Sequence, residues 1–472
     1  MKNLFKSFVL HSLNSLAVKR IKSETRIIGI TGSVGKTTAK EAVVKILGTK
    51  FKIHANKKSF NSEFGIPLTI LEEESGFSSA TKWIGILTRS FFKSFKKLEI
   101  DFLILEMGVD KPGDMQALLQ VLQPTIGVML AVKPVHLAAG QFQDLAAISQ
   151  EKGLLIANLP DDGVAILNQD DELVSSLPSS ARKVFFSAKN PATITASDIG
   201  ENLDGICATI HHGEITTTLS SPILGKHNLS SLLAAIAVGL EAGISLEECC
   251  KALRDFHLPP GRLNLLEGVN HSKIIDGSYN SNPGSCAAAL KTLGQMETTG
   301  RKIALLGQMN ELGEKSEALH REIGREAAKF ADEVIGVFGD AKYFLEEAEK
   351  QNIAGKYFET ATAAGNYLRK TLGEKDLLLV KGSQNKVRLE KAVAELLANP
   401  EDKSLLCRQE TYWLQHGGTE ALKLILEAKV RRSPAKRGEG GLKKWLENAR
   451  ISRCNFKNFS KNKSNTVVAI CT

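Results

Sequence analysis

The sequence predicts an α/β protein: a P-loop, parallel-sheet central domain followed by a smaller, Rossmann-like α/β C-terminal domain. Three observations carry that expectation. Short apolar runs, "RIIGI" from Arg26, "DFLILEMG" from Asp101, "TIGVMLAV" from Thr125 and "GVAILN" from Gly163, alternate with stretches of helical spacing. That is the pattern of strands buried on both faces of a parallel sheet. The stretch "IIGITGSVGKTTAKEAVVKIL" from Ile27 reads as strand, glycine-rich turn and helix. A Pro-Pro-Gly turn at 259–261 then precedes a second series, "SKIIDGSYN", "KIALLGQM", "DEVIGVFG" and "DLLLVKGS", each followed by helical sequence.

Taken in chain order, residues 1–25 place Leu4, Phe5, Phe8, Val9, Leu10, Leu13 and Leu16 near one helical face, with Lys2, Lys6, Lys19, Arg20 and Lys22 around it. Such an amphipathic helix could make peripheral contact with a membrane or pack on the first domain. The central domain is expected over 26–258. Its glycine-rich loop suits phosphate: backbone N–H groups close around oxygens at a helix N-terminus, Lys36 adds a point charge, and the Thr37 hydroxyl can sit on Mg²⁺. The usual G-x-x-x-x-G-K-[ST] spacing would put its first glycine at Ile30, whereas the chain has Gly29 and Gly32. Around 193–220 the alternating, Thr-rich "ICATIHHGEITTTL" suggests an antiparallel edge or a small subdomain. "LGKHNLSSLLAAIAVGLEAGISLEECCKAL" reads as a pair of Ala- and Leu-rich helices. The second α/β domain is expected over 259–415, and 416–472 as a basic, disordered tail broken by Gly, Ser and Asn.

The formal charge of +9 belongs to that tail: it holds thirteen Lys and Arg against four Asp and Glu, leaving 48 of each sign in the remainder. Nothing in the body therefore points to a nucleic-acid partner. The seven cysteines form no C-x-x-C pair and no His cluster has zinc spacing, which predicts a reducing, cytoplasmic setting. The opening has polar breaks and no small-residue cleavage site, and no apolar run reaches the roughly 18 residues that span a bilayer.

Several side chains are placed for chemistry. Glu106 ends a strand beside the P-loop strand, where an acid reaches Mg²⁺ or its water, or else caps a turn. His136 follows the strand at Thr125, and Lys152 lies in "AISQEKGLLI"; read alone, each is a packing or surface residue. "NSNP" at 280–283, read alone, is a turn.

The ordered series changes that reading. TGSVGKT is followed by "NKKSFNSEFGIPLTIL", "EMGVDKPGDM", "HLAAGQFQDLAAISQEKG", "LNQDDE", "GKHN", "PPGRLN", "IIDGSYNSNPGS", "LLGQMNELGEKSEALH" and "LVKGSQ". This resembles the Mur ligase family, most closely its MurF branch, over 26–415. The resemblance implies an ATP-dependent amide ligase of peptidoglycan precursor synthesis. It would join D-alanyl-D-alanine, or a related amine, to the carboxylate of a UDP-muramyl-peptide or related acceptor through an acyl phosphate. It implies ATP and two Mg²⁺ ions as cofactors, with Lys36, His136 and Lys152 catalytic. Gly32, Ser33, Val34, Gly35, Lys36, Thr37 and Thr38 would meet nucleotide phosphates, and Asn168, His227, Asn228, Arg262 and Asp276 would complete the nucleotide site. Thr37, Glu106, His136 and Lys152 would serve the metals, the lysine after carbamylation by CO₂. Asn61, Glu63, Tyr279, Asn280, Asn282 and Lys381 would face the substrates.

The chain departs from the branch in three places: Gly277 stands where D-D-S-Y-N has its second acid, Gln308 where L-G-D-M has its acid, and Gln384 where K-G-S-R has arginine. The branch also carries a separate domain ahead of the P-loop that grips the UDP-muramyl group, and roughly 25 residues cannot build one. Two other readings therefore stand beside the first: a related ligase with a folyl- or poly-glutamate-like acceptor, and a non-catalytic nucleotide-binding paralogue. A monomer acting on small molecules is expected.

Overall fold

The computed structural model describes residues 2–57, 60–77, 79–134, 141–384 and 386–409; the expected tail lies outside the described residues. The apolar runs of the first half pair into one nine-stranded sheet, ordered β2-β3-β1-β4-β5-β6-β7-β8-β9. Its strands are β1 (Arg26–Thr31), β2 (Ile53–Ala55), β3 (Phe102–Glu106), β4 (Ile126–Met129), β5 (Val164–Asn168), β6 (Arg182–Ser187), β7 (Ile194–Asn202), β8 (Gly205–His212) and β9 (Ile215–Ser221). The P-loop strand β1 is parallel to β3 on one side and β4 on the other, with Ile30 opposite Glu106 and Val128. Every residue of β3, β4 and β5 is buried, which is why these strands read as unbroken apolar runs.

The Thr-rich stretch is an antiparallel edge of this same sheet. It joins β6 through two residue pairs, Phe186 with Ile194 and Ser187 with Thr195. Strands β2 and β6 were not among the sequence expectations. The first has only three residues, and the second opens on exposed Arg182 and Lys183, so neither presents an apolar run.

Helices α2 (Lys36–Leu47), α8 (Leu229–Glu241) and α9 (Leu246–Ala252) cover one face of the sheet. The other is covered by α1 (Lys2–Arg20), α3 (Gly65–Leu71), α4 (Ala80–Lys93), α5 (Asp114–Leu119), α6 (Leu145–Ala157) and α7 (Glu172–Ser175). Helix α1 buries Val9, Leu13 and Ala17, at i, i+4 and i+8, against α3 and α4. Its last residue, Arg20, is buried too, donating to Ile70 O and to Glu72, both at 2.9 Å. No helix among the described residues is long and apolar enough to cross a membrane.

The second sheet is ordered β10-β11-β15-β12-β13-β14, from β10 (Asn264–Glu267), β11 (Lys273–Gly277), β12 (Lys302–Gly307), β13 (Glu333–Val337), β14 (Ala354–Phe358) and β15 (Leu377–Lys381). All neighbours are parallel except β10 and β11. The sequence foretold four of these strands; β10 and β14 are partly exposed edges with no continuous apolar signal. Helices α10 (Pro283–Gln295), α11 (Ser316–Phe330) and α12 (Lys342–Glu349) pack on one face, α13 (Ala361–Thr371) and α14 (Glu390–Leu396) on the other. At the junction Gly261 has φ +77°, and its carbonyl accepts from Tyr279 N at 3.0 Å. A side chain there would meet Tyr279 N at 2.8 Å, so glycine is required.

The packing of α1 is directly testable. Leu13→Ala, at a fully buried position, should lower stability in chemical denaturation by about 2 to 4 kcal/mol. Phe8→Ala, on the exposed face of the same helix, should change it by less than about 0.5 kcal/mol.

Candidate functional site

The loop after β1 is shaped by two glycines with positive φ, Gly32 at 147° and Gly35 at 83°. A Cβ on Gly35 would lie 2.6 Å from Ser231 Oγ, and one on Gly32 would lie 3.0 Å from Leu130 Cβ. Only bare backbone fits, so amide groups line the N-terminus of α2, the arrangement that receives phosphate. The loop is pinned by Ser33, whose N–H donates to Ala131 O at 2.7 Å and whose hydroxyl donates to Lys133 O at 3.1 Å. Lys36 Nζ folds back onto Gly32 O at 2.8 Å. Burial lowers its pKa, against the pull of Glu106 and Asp110 and with the push of Arg262. Behind the loop, Thr38 donates to Asn228 Oδ1 at 3.2 Å, and Asn228 donates to Leu224 O at 2.8 Å. Asn168 lies at the end of β5, its amide 3.5 Å from Ser230 Oγ, while His227 is exposed in the turn before α8.

Glu106, at the end of β3, is the carboxylate nearest this loop in hydrogen-bond terms. Thr37 Oγ1 donates to one of its oxygens at 2.9 Å and Asn61 Nδ2 to the other at 3.0 Å. Asn56 bridges its backbone, accepting from Glu106 N at 2.9 Å and donating to Glu106 O at 3.0 Å. A hydroxyl beside a carboxylate at a phosphate-binding helix end is a set of hard oxygen ligands that fits Mg²⁺. Glu63, expected near a substrate, pairs with Lys6 of α1 at 2.8 Å.

Lys152 sits on α6 with 1% of its surface exposed, and its Nζ donates to Val109 O at 3.0 Å. Burial, reinforced by the charge of Lys36, brings its pKa down to about 7 against the opposing influence of Asp110, Asp114 and Glu151. The loop above it is fixed: Asp114 accepts from Asp110 N and Lys111 N, both at 3.0 Å, and Glu151 accepts from Met115 N at 2.8 Å. His136 lies outside the described residues.

The ends of β11, β12 and β15 form the facing cluster. Tyr279 lies between two guanidinium groups, Arg262 at 4.5 Å and Arg408 at 5.4 Å from its ring centre. Arg408, itself buried, donates to Tyr279 O and is held by Glu390 at 3.0 Å. Lys381 donates to Asn280 O, and burial lowers its pKa to about 8. Asp276 is fully buried; one oxygen accepts from Ser278 N at 3.0 Å and the other has no hydrogen-bond partner among the described residues. Asn282 caps α10, accepting from Ser285 N at 2.9 Å. Ser383 ties the three strand ends together, donating to Ser281 O at 3.1 Å and accepting from Asn310 N at 2.9 Å.

The structure thus gathers Lys36, Thr37, Asn61, Glu106 and Lys152 at one strand-end cluster, and Arg262, Asp276, Tyr279, Asn280 and Lys381 at the other. The charge of Arg262 reaches Lys36 between them. Sequence reasoning missed Asn56, Glu390, Arg408 and Ser383. The first opens the quoted "NKKSFNSEFG" stretch and could have been singled out; the others act through contacts distant in sequence.

Residues 30–239 match the Mur ligase middle domain and residues 261–384 the Mur ligase glutamate ligase domain. The chain is 30% identical over 387 residues to the UDP-N-acetylmuramoyl-tripeptide–D-alanyl-D-alanine ligase of Bacillus subtilis, covering 80% of this chain and 77% of that one. Against the Escherichia coli ligase of the same name, identity is 29% over 382 residues, covering 79% and 77%. Among solved structures, MurF from Acinetobacter baumannii superposes with TM-score 0.68 at 25% identity, over 82% of this chain and 79% of that one. MurF from Thermotoga maritima in complex with ADP shares the fold, with TM-score 0.67 at 22% identity over 84% and 83%.

The Lys36 and Lys152 pair makes a prediction with a definite sign. Replacing Lys36 by Met removes a positive neighbour, so the Lys152 titration midpoint, read by NMR of its side-chain nitrogen, should rise from about 7 toward 10.5. An unchanged midpoint would show that burial alone sets it. In the parent chain the folded pKa lies below the unfolded one, so Lys152 disfavours folding at and below pH 7. That cost is relieved as pH rises through the interval from about 7 to 10.5.

Proposed function

The chain belongs to the Mur ligase family, and on that premise we propose that it is a MurF-type, ATP-dependent ligase. The reaction forms an amide C–N bond between the terminal carboxylate of a UDP-muramyl-tripeptide and the amino group of D-alanyl-D-alanine, in peptidoglycan precursor synthesis. The observation that carries it is the meeting of Lys36 and Thr37 at the start of α2, Glu106 at the end of β3 and Lys152 of α6, in a chain that aligns along most of two ligases so named. Bound ATP supplies a phosphoryl group that turns the acceptor carboxylate into an acyl phosphate, which the amine displaces, releasing phosphate and a proton.

The protein's part is charge and position. Two anions, carboxylate and phosphate, must approach each other, and Lys36 supplies the cation where they meet. Thr37 and Glu106 would hold one Mg²⁺, with Asn56 and Asn61 fixing the carboxylate's orientation. Lys152 as an ammonium is a donor and cannot bind a cation. With a pKa of about 7 it is substantially neutral at physiological pH, the state that reacts with CO₂. The carbamate would offer an anionic oxygen to a second Mg²⁺, together with His136. Asn168, His227 and Asn228 would border the nucleotide; Arg262 and Tyr279 would close on it from the second sheet. Lys381 and Asn280 would stand nearest the incoming amine, with Asp276 and Asn282 shaping that loop from within.

Phosphate release by the purified chain with ATP and Mg²⁺ should require both UDP-muramyl-tripeptide and D-alanyl-D-alanine, with the amide product seen by mass spectrometry. Release that needs a different acceptor would refute the substrate assignment, and none with any acceptor and amine pair would refute catalysis. Lys36→Ala should lower turnover by at least about 100-fold. Lys152→Ala should lose most activity and regain part of it with short carboxylic acids, a rescue absent from Lys36→Ala.

A further inference from the structure

Helix α4 carries two apolar faces where its place in the fold needs one. Trp83, Ile86, Leu87 and Ser90 face inward onto the core shared with α1 and α3. On the other side Ile84, Phe91, Phe92 and the following Phe95 are 59, 51, 68 and 75% exposed. Ile84, Thr88 and Phe91 lie on one stripe of α4, with Phe92 beside it and Phe95 in the turn that follows. The phenyl rings pack on each other and not on the core, Phe91 lying 5.7 Å from Phe92 and 5.1 Å from Phe95 between ring centres. Alongside, α1 leaves Phe5 and Phe8 exposed, and Phe77 stands out on the turn that leads into α4. Most of the large apolar side chains exposed among the described residues belong to these two helices and their flanking turns. An apolar patch concentrated in this way marks an interaction surface.

Charge selects the occupant. Residues 2–22 and 75–98 contain Lys and Arg throughout and no Asp or Glu. Most acids at their margins are engaged, Glu63 by Lys6, Glu72 by Arg20, Glu73 by Arg89 and Lys93, and Glu24 and Glu99 by Lys22, while Glu74 is exposed. Lys19, Lys82, Lys96 and Lys97 are basic groups beyond those pairs. A second copy of the chain would bring up the same positive face, and residues 416–472 are themselves strongly basic. Both meet repulsion. A partner at once apolar and negative is the headgroup region of an anionic bilayer, where aromatic rings lodge at the interface and lysines meet phosphate.

We propose that the α1 and α4 face docks this enzyme peripherally on an anionic lipid membrane, with Phe91, Phe92 and Phe95 entering the headgroup layer beside Lys96 and Lys97. The proposal does not depend on the substrate reading, and its test does not use catalysis. The full chain should sediment with vesicles of phosphatidylglycerol and phosphatidylcholine and remain largely in solution with phosphatidylcholine alone. Phe91→Ser, Phe92→Ser and Phe95→Ser together, and separately Lys96→Glu with Lys97→Glu, should each lower the bound fraction per lipid by at least about tenfold. Because those side chains are exposed, thermal melting should be retained. In the unsubstituted chain, amide hydrogen exchange over 84–97 should slow on adding the anionic vesicles, a reading free of any folding defect in the variants.

An unsubstituted chain that stays in solution with anionic vesicles overturns the proposal. So does vesicle binding that survives the phenylalanine substitutions with no protection over 84–97, which would assign binding elsewhere, as to the basic 416–472. Concentration-dependent self-association abolished by the phenylalanine substitutions, without vesicle binding, would give the face to a second copy.

Discussion

A carboxylate at the end of a fully buried strand has to be furnished with donors, and the first sheet is organised around meeting that demand at Glu106. The residue is 4% exposed, so each oxygen left without a partner would carry a desolvation cost of about 1 to 3 kcal/mol. Thr37 reaches it from α2 and Asn61 from the loop after β2, while Asn56 closes on its backbone. Asn56 is in turn held by Lys40, which is buried in the middle of α2 and donates to Asn56 O at 2.6 Å. Helix α2 is therefore fixed twice, at Gly35 by the close approach of Ser231 and one turn later by Lys40. The phosphate loop inherits its position against β3 from those two anchors.

Within that frame, Lys36 and Lys152 are two like charges brought together where water is scarce. In the protein alone this arrangement opposes folding, since each ammonium disfavours the other and burial disfavours both. Asp110, Asp114 and Glu151 offset part of the cost, and the Lys152 ammonium donates to the carbonyl of Val109. An excess of positive potential beside backbone amide groups is complementary to a polyanion, so nucleotide phosphate would offset the repulsion between these lysines. Perturbed lysines gathered at strand ends are the electrostatic mark of a site built for such a ligand.

How much of this could be read from residues alone divides along physical lines. Strands buried on both faces and the glycine turn between β1 and α2 were legible, because burial and positive φ restrict composition locally. The edge strands β2, β10 and β14 were not, since exposure removes the apolar signal, and the interior strand β6 was not because it opens on exposed Arg182 and Lys183. Lys40 would pass for a solvated helix residue, yet it is 1% exposed; only its distance from Asn56 in space, not in sequence, reveals its part. Arg408 is a stronger case, for its partner Tyr279 lies 129 residues earlier. Asn282 carried a second signal in plain view. With Ser285 three positions on and Pro283 between them, it has the pattern of a helix cap, and that is where its side chain is spent.

The departures from the MurF pattern bear on whether the second sheet is a decayed copy of a working one. At Gly277 an added Cβ would stand 3.0 Å from Lys381 Cδ, Leu263 Cδ2 and Val380 O, so the space an acid would need is filled by the stem of the lysine that holds Asn280. Gln308 is equally fitted: its oxygen accepts from Asp340 N at 3.1 Å and its amide donates to Asn310 at 3.4 Å. That fit requires glycine at 339, where φ is +55° and any side chain would collide with Gln308 Oε1. Nothing in the structure accounts for Gln384. Beside Gln308, His320 accepts from Met309 N at 2.9 Å and bonds Ser316 O at 2.7 Å, which fixes the turn and the tautomer together. Random loss of charge would leave unfilled space or orphaned donors around the altered positions. At 277 and 308 the neighbours instead match the residues present, which is how a cluster still shaped to hold its loops in place differs from one released from that requirement.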